Sequence, residues 1–494
     1  MAVPPPDGIA SRTVRGTIWA YGSLAAGQAL VLVSTAILAR ILTPADFGLV
    51  ALALVFIALL DTISDLGLSP GVVISKPEEL EERADTAFVL TVGIGAALSA
   101  LTALVAVGMV PLFDEPELQP LLSVLGLNFL LRSLGATHYA LAQKRIDFRS
   151  RTVAEVTGVV VRGLAGIALA LAGAGAWSLV IGYLAGTFAM SAVMWALIRW
   201  RPRLRVARAQ VPQMLRFGGT LTGVDILAGV IAQVDYFFVG RVLGTQALGL
   251  YTIGFRLPEL IVINLALVAS RVLFPAFAAV DREALGWAFL RAFRYTALIA
   301  LPTAVGLCVL ANPVVLAVFG DQWHGSIGPM RILTLYALAV TLGIPAGTAY
   351  KATGNAGILL RLSIPRAILV VSSIALLVDE GTVAVAACQA GAAALFAVIG
   401  LVVAMRMLDL RPGQVLAALW PAFATAAAAA PAMTFAELLF ERPWPTLAVA
   451  VPLGAAAYAV VLRWTAPDVI AQVRDAIRIG RTPAVSTARV QGTE

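Results

Sequence analysis

The sequence predicts an all-α integral membrane protein with about fourteen transmembrane helices. Of its 494 residues, 60% are hydrophobic and 13% are charged, whereas soluble domains have about 45–50% apolar and about 25% charged residues. Apolar runs of bilayer-spanning length, about 20 residues, recur along the chain. Short basic clusters separate alternate pairs of these runs. Too few charges remain to cover a water-facing surface, so lipid must be the solvent for most of the chain.

The apolar runs define the individual spans. Twelve of them are predicted near residues 17–39, 48–67, 87–110, 118–141, 153–172, 176–198, 217–240, 248–270, 288–311, 327–350, 360–378 and 383–405. Two more follow near residues 415–435 and 446–463. The first run is too long for the apolar core of a signal peptide, so it is predicted to be retained as a helix.

The distribution of Lys and Arg predicts the orientation. With the N-terminus in the cytoplasm, 28 of the 35 basic residues fall on the inside, most densely at 199–216. Three lie outside, namely Arg40, Arg241 and Arg442, and the remaining four lie within the spans. The positive-inside rule therefore places both termini in the cytoplasm. It also accounts for the net charge of +7 without a nucleic-acid partner.

The two cysteines, Cys308 and Cys388, lie within apolar runs. We expect them to be buried as small apolar residues rather than joined in a disulfide or bound to a metal. No cofactor and no metal site are expected.

The chain repeats itself with an offset of 201 residues. The segment Ala39-Arg40-Ile41-Leu42 corresponds to Gly240-Arg241-Val242-Leu243, and Phe47-Gly48-Leu49 corresponds to Leu248-Gly249-Leu250. Six predicted spans separate the copies, so both have the same orientation. This predicts a parallel repeat of two six-helix lobes around an axis along the membrane normal. A chance echo of residues common at helix ends is the alternative.

The repeat predicts the domain organisation. Its parts are a cytoplasmic N-terminus (1–16), an N-lobe (17–198), a linker (199–216), a C-lobe (217–405), two further spans (406–463) and a cytoplasmic tail (464–494). The tail is expected to carry a short amphipathic helix at the membrane surface, from Asp468 to Arg481. Two lobes around a central cavity suit alternating access.

Several segments resemble one transporter family. They are Arg40-Ile41-Leu42-Thr43-Pro44-Ala45-Asp46-Phe47-Gly48, Gly240-Arg241-Val242-Leu243 through Tyr251 with Arg256, Arg271-Val272-Leu273-Phe274-Pro275-Ala276-Phe277, and Phe319-Gly320-Asp321-Gln322-Trp323. Together, over residues 12–410, they resemble the polysaccharide transporter (Wzx-like) branch of the MOP flippase superfamily, whose fold is shared with the MATE transporters.

The resemblance implies a function and a location. It implies a flippase in the bacterial cytoplasmic membrane that moves undecaprenyl-pyrophosphate-linked oligosaccharide to the outer leaflet for exopolysaccharide or O-antigen synthesis. Its expected partners are the lipid-linked oligosaccharide, membrane lipids, and a separate polymerase and co-polymerase.

Charged residues inside spans are the candidates for the site. Such a charge costs roughly 2.5–3.5 kcal/mol at a helix centre, so it usually faces a cavity or a partner. Arg256 and Glu259 lie three residues apart and share a helix face. We expect Arg256 to bind a carrier phosphate, with Glu259 holding it when the site is empty. A purely structural ion pair is the alternative.

Further polar residues extend this prediction. Arg132, His138 and Arg162 lie towards the cytoplasmic half and are candidates for a basic entry path, although snorkelling or packing would also explain them. Arg331 and Gln28 are candidate sugar contacts, with interfacial anchoring and helix packing as the respective alternatives. Asp235 and Asp225 are candidates for H⁺ or Na⁺ coupling, with interhelical salt bridges as the alternative and Arg241 or Arg256 as partners of Asp235.

Three other functions remain open from sequence alone. The first is an exporter of the same fold for drugs or for another lipid-linked precursor; a multidrug exporter would favour acidic and aromatic cavity walls, whereas Arg is as frequent as acid here. A membrane sugar polymerase or glycosyltransferase would need catalytic groups in a substantial outer loop, and all predicted outer loops are short. A membrane scaffold without transport activity is the third.

Overall fold

The fold is helical throughout the part that the computed structural model describes, which comprises residues 26–64, 68–207, 211–212, 229–355 and 357–471. Twelve helices within these ranges are long and apolar enough to cross a membrane, and a shorter apolar helix spans Ala26–Ile41. These residues contain no β-strand. The predicted all-α, multi-pass membrane architecture is confirmed.

The N-lobe consists of helices α1 to α8. Their bounds are α1 Ala26–Ile41, α2 Pro44–Asp61, α3 Leu68–Val73, α4 Leu80–Phe113, α5 Leu118–Leu125, α6 Leu127–Lys144, α7 Phe148–Leu171 and α8 Ala176–Leu197. Helices α5 and α6 meet at Gly126 and form one span.

The predicted second span, 48–67, differs from the structure because its helix ends at Asp61 and resumes as α3. At the break, the Ser64 hydroxyl donates to the carbonyl of Asp61 at 2.8 Å. Such a bond competes with the helical backbone pattern.

The C-lobe consists of α9 to α16. Their bounds are α9 229–238, α10 Gly244–Leu257, α11 Asn264–Ala278, α12 Arg282–Val309, α13 Ala311–Val318, α14 Ile327–Ala352, α15 Gly357–Leu377 and α16 Thr382–Met407. The π-helical segments Val239–Leu243 and Pro258–Ile263 lie before and after α10. Short 3₁₀ turns, Asp321–Ser326 and Val378–Glu380, precede α14 and follow α15.

The last two helices, α17 (Pro412–Leu439) and α18 (Pro443–Thr465), pack against α12 of the C-lobe. Met433 of α17 reaches Gly306 of α12 and Gly454 of α18, and a Cβ at Gly454 would lie 2.1 Å from the Met433 Cε. A larger residue at position 454 would require Met433 to move. These helices are therefore fitted to the C-lobe, outside the repeat.

The start of α2 is encoded locally. The Asp46 N–H donates to the Thr43 Oγ1 at 3.2 Å, and the Thr43 N–H donates to the Asp46 carboxylate at 2.9 Å. Pro44 occupies the first helical position. This reciprocal capping box, with proline at the first position, fixes where the helix begins.

The lobes meet where α2 crosses α10. A Cβ at Gly48 would lie 1.7 Å from the carbonyl oxygen of Thr245, and a Cβ at Gly249 would lie 1.8 Å from that of Pro44. Pro44 and Thr245 are offset by 201 residues, as are Gly48 and Gly249. This glycine crossing is therefore symmetric about the axis that the repeat predicts.

A second contact joins the lobes where α1 and α13 end. Arg40 donates to the carbonyl of Val318 at 3.3 Å and to that of the preceding residue. In return, Trp323 donates to the carbonyl of Ala39 at 2.8 Å, and Gln322 donates to the same carbonyl at 2.5 Å. Each lobe thus satisfies carbonyls left free at a helix terminus of the other. Arg40, Gln322 and Trp323 are called the interlobe latch below.

The described part of the linker runs along the start of α4. The N–H of Arg203 donates to the buried carboxylate of Asp85 at 3.0 Å, and that of Ala207 donates to the Thr86 hydroxyl at 3.0 Å. The linker is therefore fixed to the N-lobe as far as residue 207. Residues 1–25, 208–210 and 213–228 lie outside the described residues, as does the predicted amphipathic helix beyond residue 471, so the domain boundaries stay predictions.

Candidate functional site

A cavity of about 150 Å³ lies between the two lobes. Its walls come from α1, α2, α5, α7 and α8 of the N-lobe and from α10 of the C-lobe. Two predicted site residues, Arg162 and Arg256, line it together with Tyr183. The structure therefore brings together side chains that lie far apart in sequence. We call this space the interlobe cavity.

Arg162 lies in the middle of α7 and is held by α8. Its guanidinium carbon lies 4.5 Å from the centre of the Tyr183 ring, which is cation–π geometry. The two helices approach closely because glycines line their contact; a Cβ at Gly186 would lie 2.7 Å from the Arg162 Cβ. This close packing positions the guanidinium against the tyrosine while the side chain stays accessible.

Arg256 lies in the last turn of α10, directly before the π-helical segment that Pro258 begins. Its Nη1 lies 3.1 Å from the Glu259 Oε2, with the two side chains 28% and 40% exposed. A π-helical segment often marks a functional position in a helix. The pair is accessible, and a guanidinium has five N–H donors, so donors remain for a ligand.

The electrostatics of the interlobe cavity follow from its two arginines. Arg162 and Arg256 repel each other across it, and arginine remains charged inside a protein. Glu259 offsets part of this charge. An anion between the two guanidinium groups would relieve the repulsion and accept hydrogen bonds from both.

Arg132 lines a different space, a cavity of about 290 Å³ inside the N-lobe, which we call the N-lobe pocket. Its Nη1 pairs with the carboxylate of Asp61. The charge of Arg132 is therefore balanced locally. Arg132 does not share a cavity with Arg162 and Arg256.

His138 is fully buried in an aromatic cluster at the end of α6. Its ring centre lies 4.4 Å from that of Trp195 and 5.2 Å from that of Trp200, and its Nε2 lies 3.3 Å from the Trp200 carbonyl oxygen. This placement favours a packing role over a place on an entry path. Arg331 and Gln28 lie on α14 and α1 and are absent from the linings of the three cavities described here.

Asp235 lies in α9 and is 5% exposed. The hydroxyl of Tyr251, on α10, donates to its Oδ2 at 2.7 Å. Tyr251, rather than Arg241 or Arg256, is therefore the partner that the structure assigns to it. Its Oδ1 has no hydrogen-bond partner among the described residues, and neither has the Oε1 of Gln389 on α16, which is 2% exposed. Asp225, the other ion-coupling candidate, lies outside the described residues.

Sequence reasoning missed three residues of interest. Tyr183 carries no charge, so its role beside Arg162 gave no signal. Gln389 is a polar residue within a predicted span and could have been found by the rule that selected Gln28. Arg366 lines a C-lobe pocket of about 330 Å³ with Lys351 and is not among the predicted site residues.

Comparison with known proteins identifies the family. Residues 37–328 match the family described as "Polysaccharide biosynthesis protein". The chain belongs to this family. The predicted resemblance to polysaccharide transporters is thereby confirmed.

Two relatives match most of the chain. The "Lipopolysaccharide biosynthesis protein WzxC" of Escherichia coli (strain K12) is 29% identical over 371 residues, which cover 74% of each chain. The "Succinoglycan biosynthesis transport protein ExoT" of Rhizobium meliloti (strain 1021) is 28% identical over 374 residues, again 74% of each chain. These relatives support the predicted transporter class over a membrane enzyme.

A solved structure confirms the fold class. The chain superposes on "Lipid II flippase MurJ, inward closed conformation" with a TM-score of 0.74 and 15% sequence identity, covering 92% of this chain and 100% of that one. At this identity the likeness establishes the shared MOP-type fold alone.

Proposed function

We propose that the protein is a flippase that moves undecaprenyl-pyrophosphate-linked oligosaccharide from the cytoplasmic to the outer leaflet of the bacterial inner membrane. The observation that carries this proposal is the pair of guanidinium groups, Arg162 and Arg256, in one cavity between the lobes. Pyrophosphate is the dianionic group that two arginines bind bidentately. The names of the two relatives, which refer to polysaccharide biosynthesis and transport, support the substrate class.

The binding step follows from the geometry of the cavity. Tyr183 orients Arg162, so this guanidinium is preorganised. Glu259 holds Arg256 in the empty cavity and competes with the incoming phosphate. Binding therefore exchanges one carboxylate for a pyrophosphate on Arg256 and ends the repulsion between the arginines. After transfer, Glu259 pairs with Arg256 again, which favours release of the substrate.

Alternating access is the proposed mode of transport. With both termini in the cytoplasm, the glycine crossing and the interlobe latch lie at the outer end of the lobes. Both contacts must open before the cavity reaches the outside. The latch uses hydrogen bonds to helix-terminal carbonyls, which water can replace, so it is suited to repeated opening.

Ion coupling is proposed at Asp235. Its buried Oδ1 and the buried Oε1 of Gln389 both lack hydrogen-bond partners in the described part of the chain. Unpartnered oxygens suit a proton or a hard cation such as Na⁺. The Tyr251 hydroxyl, on the same helix as Arg256, links this carboxylate to the helix that carries the substrate site.

The positive cavity opposes the multidrug alternative, because a cationic drug would be repelled by Arg162 and Arg256. Partnership with a polymerase and co-polymerase stays a prediction from family resemblance.

The test is export in a strain that lacks the chromosomal copy of the gene. Arg256→Ala and Arg162→Ala should each reduce polysaccharide export at least tenfold, because a hydrogen bond to a charged group contributes about 1.5–3 kcal/mol. Arg463→Ala, which removes an exposed arginine of α18 outside the described cavities, is the matched control. Undiminished export by both cavity variants, at normal protein levels in the membrane, would refute the pyrophosphate site.

A further inference from the structure

The N-lobe pocket is not used by the proposed function. It lies among α3, α4, α6 and α8 and has a volume of about 290 Å³, close to the lower end of ligand pockets, roughly 300 Å³. Its lining includes two aromatic rings, Phe129 and Tyr139. A cavity of this size and make-up can hold a small polar ligand.

The pocket is rich in hydroxyl groups whose hydrogens are already engaged. Thr91 donates to the carbonyl of Ala87 at 2.8 Å and Ser133 to that of Leu130 at 2.7 Å. Ser191 donates to a carbonyl of α6 at 2.8 Å. Each hydroxyl oxygen keeps lone pairs that can accept hydrogen bonds. The walls therefore present acceptors, which suit a ligand that brings several O–H donors.

The charges at the pocket are internally balanced. Arg132 pairs with Asp61, and their side chains are 57% and 33% exposed. Tyr139 donates to Glu155 at 2.5 Å and accepts from Arg151 at 2.7 Å. The paired guanidinium and carboxylate offer donors and acceptors side by side without a net charge. This chemistry favours an uncharged polyol over a phosphate.

The pocket continues the interlobe cavity along one helix face. On α8, Tyr183 lines the interlobe cavity, and Thr187 and Ser191 line the N-lobe pocket. These residues are spaced four apart, so they lie on one face, about 5–6 Å from one to the next. On the opposite wall, Leu125 likewise lines the interlobe cavity and Phe129, four residues later, lines the N-lobe pocket. A group bonded directly to a pyrophosphate at Arg162 would therefore reach the pocket.

We propose that the N-lobe pocket binds the first sugar of the substrate, the ring bonded to the pyrophosphate. The inference rests on the proposed function, since it takes the pyrophosphate to lie at Arg162 and Arg256. It assigns recognition of the sugar to the N-lobe alone, whereas the pyrophosphate is bound by both lobes. The hydroxyl oxygens accept from the sugar, and Arg132, which Asp61 holds, donates to a sugar hydroxyl.

The test fills the pocket without changing a polar group. Ala136 lines the pocket and is partly exposed in it, so Ala136→Phe occupies the space of the sugar. Leu127→Phe on the same helix is the matched control, because Leu127 is 46% exposed and lines none of the three described cavities. Thr187→Val is a milder second variant that removes one hydroxyl at nearly constant shape.

Binding is measured on the purified full-length protein in nanodiscs. The probes are bare undecaprenyl pyrophosphate and the same carrier bearing glucose, galactose, N-acetylglucosamine or N-acetylgalactosamine. The wild type should bind at least one sugar-bearing probe about tenfold more tightly than the bare carrier. Ala136→Phe should remove this advantage and leave the Kd of the bare carrier within about twofold, and Thr187→Val should reduce the advantage in part. Leu127→Phe should behave as the wild type.

The outcomes separate the two proposals. If the wild type binds bare and sugar-bearing carriers equally, or if Ala136→Phe keeps the sugar preference, the sugar site is refuted and the pyrophosphate site stands. If Ala136→Phe weakens both kinds of carrier equally, the sugar site is likewise refuted. If only sugar-bearing carriers bind, and Ala136→Phe abolishes this, the sugar site stands and the pyrophosphate site falls. If no carrier binds, both fail.

Discussion

Adding one methyl group at the glycine crossing should force the lobes apart. In Gly48→Ala the new Cβ would lie 1.7 Å from the carbonyl oxygen of Thr245, and real Cβ contacts are essentially never closer than 3.0 Å, so α2 and α10 must separate by about 1.3 Å. Overpacking of this kind costs about 1–3 kcal/mol, which corresponds to an about 5–150-fold shift towards states in which the contact is open. Gly249→Ala should have a similar effect, because the crossing is symmetric.

Thiol labelling from outside the cell measures this shift. Thr252→Cys places a thiol in the interlobe cavity, in a background where Cys308 and Cys388 are replaced by Ala. A membrane-impermeant maleimide should label this thiol faster when Gly48→Ala is present. Gly93→Ala is the matched control, since a Cβ there meets nothing within 4 Å. Equal labelling rates and equal thermal unfolding temperatures for Gly48→Ala and Gly93→Ala would refute the close crossing or its place at the outer gate.

Two further changes test the latch and the ion site. Arg40→Gln should also speed labelling of the cavity thiol from outside, by several-fold at most because Arg40 is exposed. Arg241→Gln, at the repeat-related position, should leave the labelling rate unchanged. Equal effects of the two variants would contradict the latch. Asp235→Asn should abolish any dependence of export on the Na⁺ or proton gradient. The variant should still fold, since the amide is isosteric with the carboxylate and Tyr251 keeps its hydrogen-bond acceptor. Gradient-dependent export by this variant would exclude Asp235 as the coupling group.

Most of the fold was predictable because lipid imposes a simple rule on sequence. A span is built as an apolar helix, since the bilayer offers no partner for an unpaired backbone group. This rule located the helix Pro412–Leu439, whose two ends lie within four residues of the ends of the predicted span, 415–435. The break after Asp61 was not found, because it leaves the hydropathy of the segment almost unchanged.

The candidate site was predictable only in part. Arg162 and Arg256 stood out because charge is costly within a span, but their meeting depends on the packing of α10 against the N-lobe, which no local pattern encodes. The same rule selected His138, which the fold buries between aromatic rings instead. Polarity within a span therefore identifies candidates, and only packing sorts cavity residues from core residues.

The glycine crossing also bears on the origin of the chain. Each half presents the same two groups, a carbonyl at Pro44 or Thr245 and a glycine one turn later. The carbonyl of each half contacts the glycine of the other half. A surface that is complementary to its own copy is what a two-fold homodimer requires. A half-length ancestor could therefore have dimerised through this contact before gene duplication joined the halves. Arg40 forms the interlobe latch, and no equivalent bond from Arg241 is present among the described contacts. The latch would then be a later addition that made the two halves unequal.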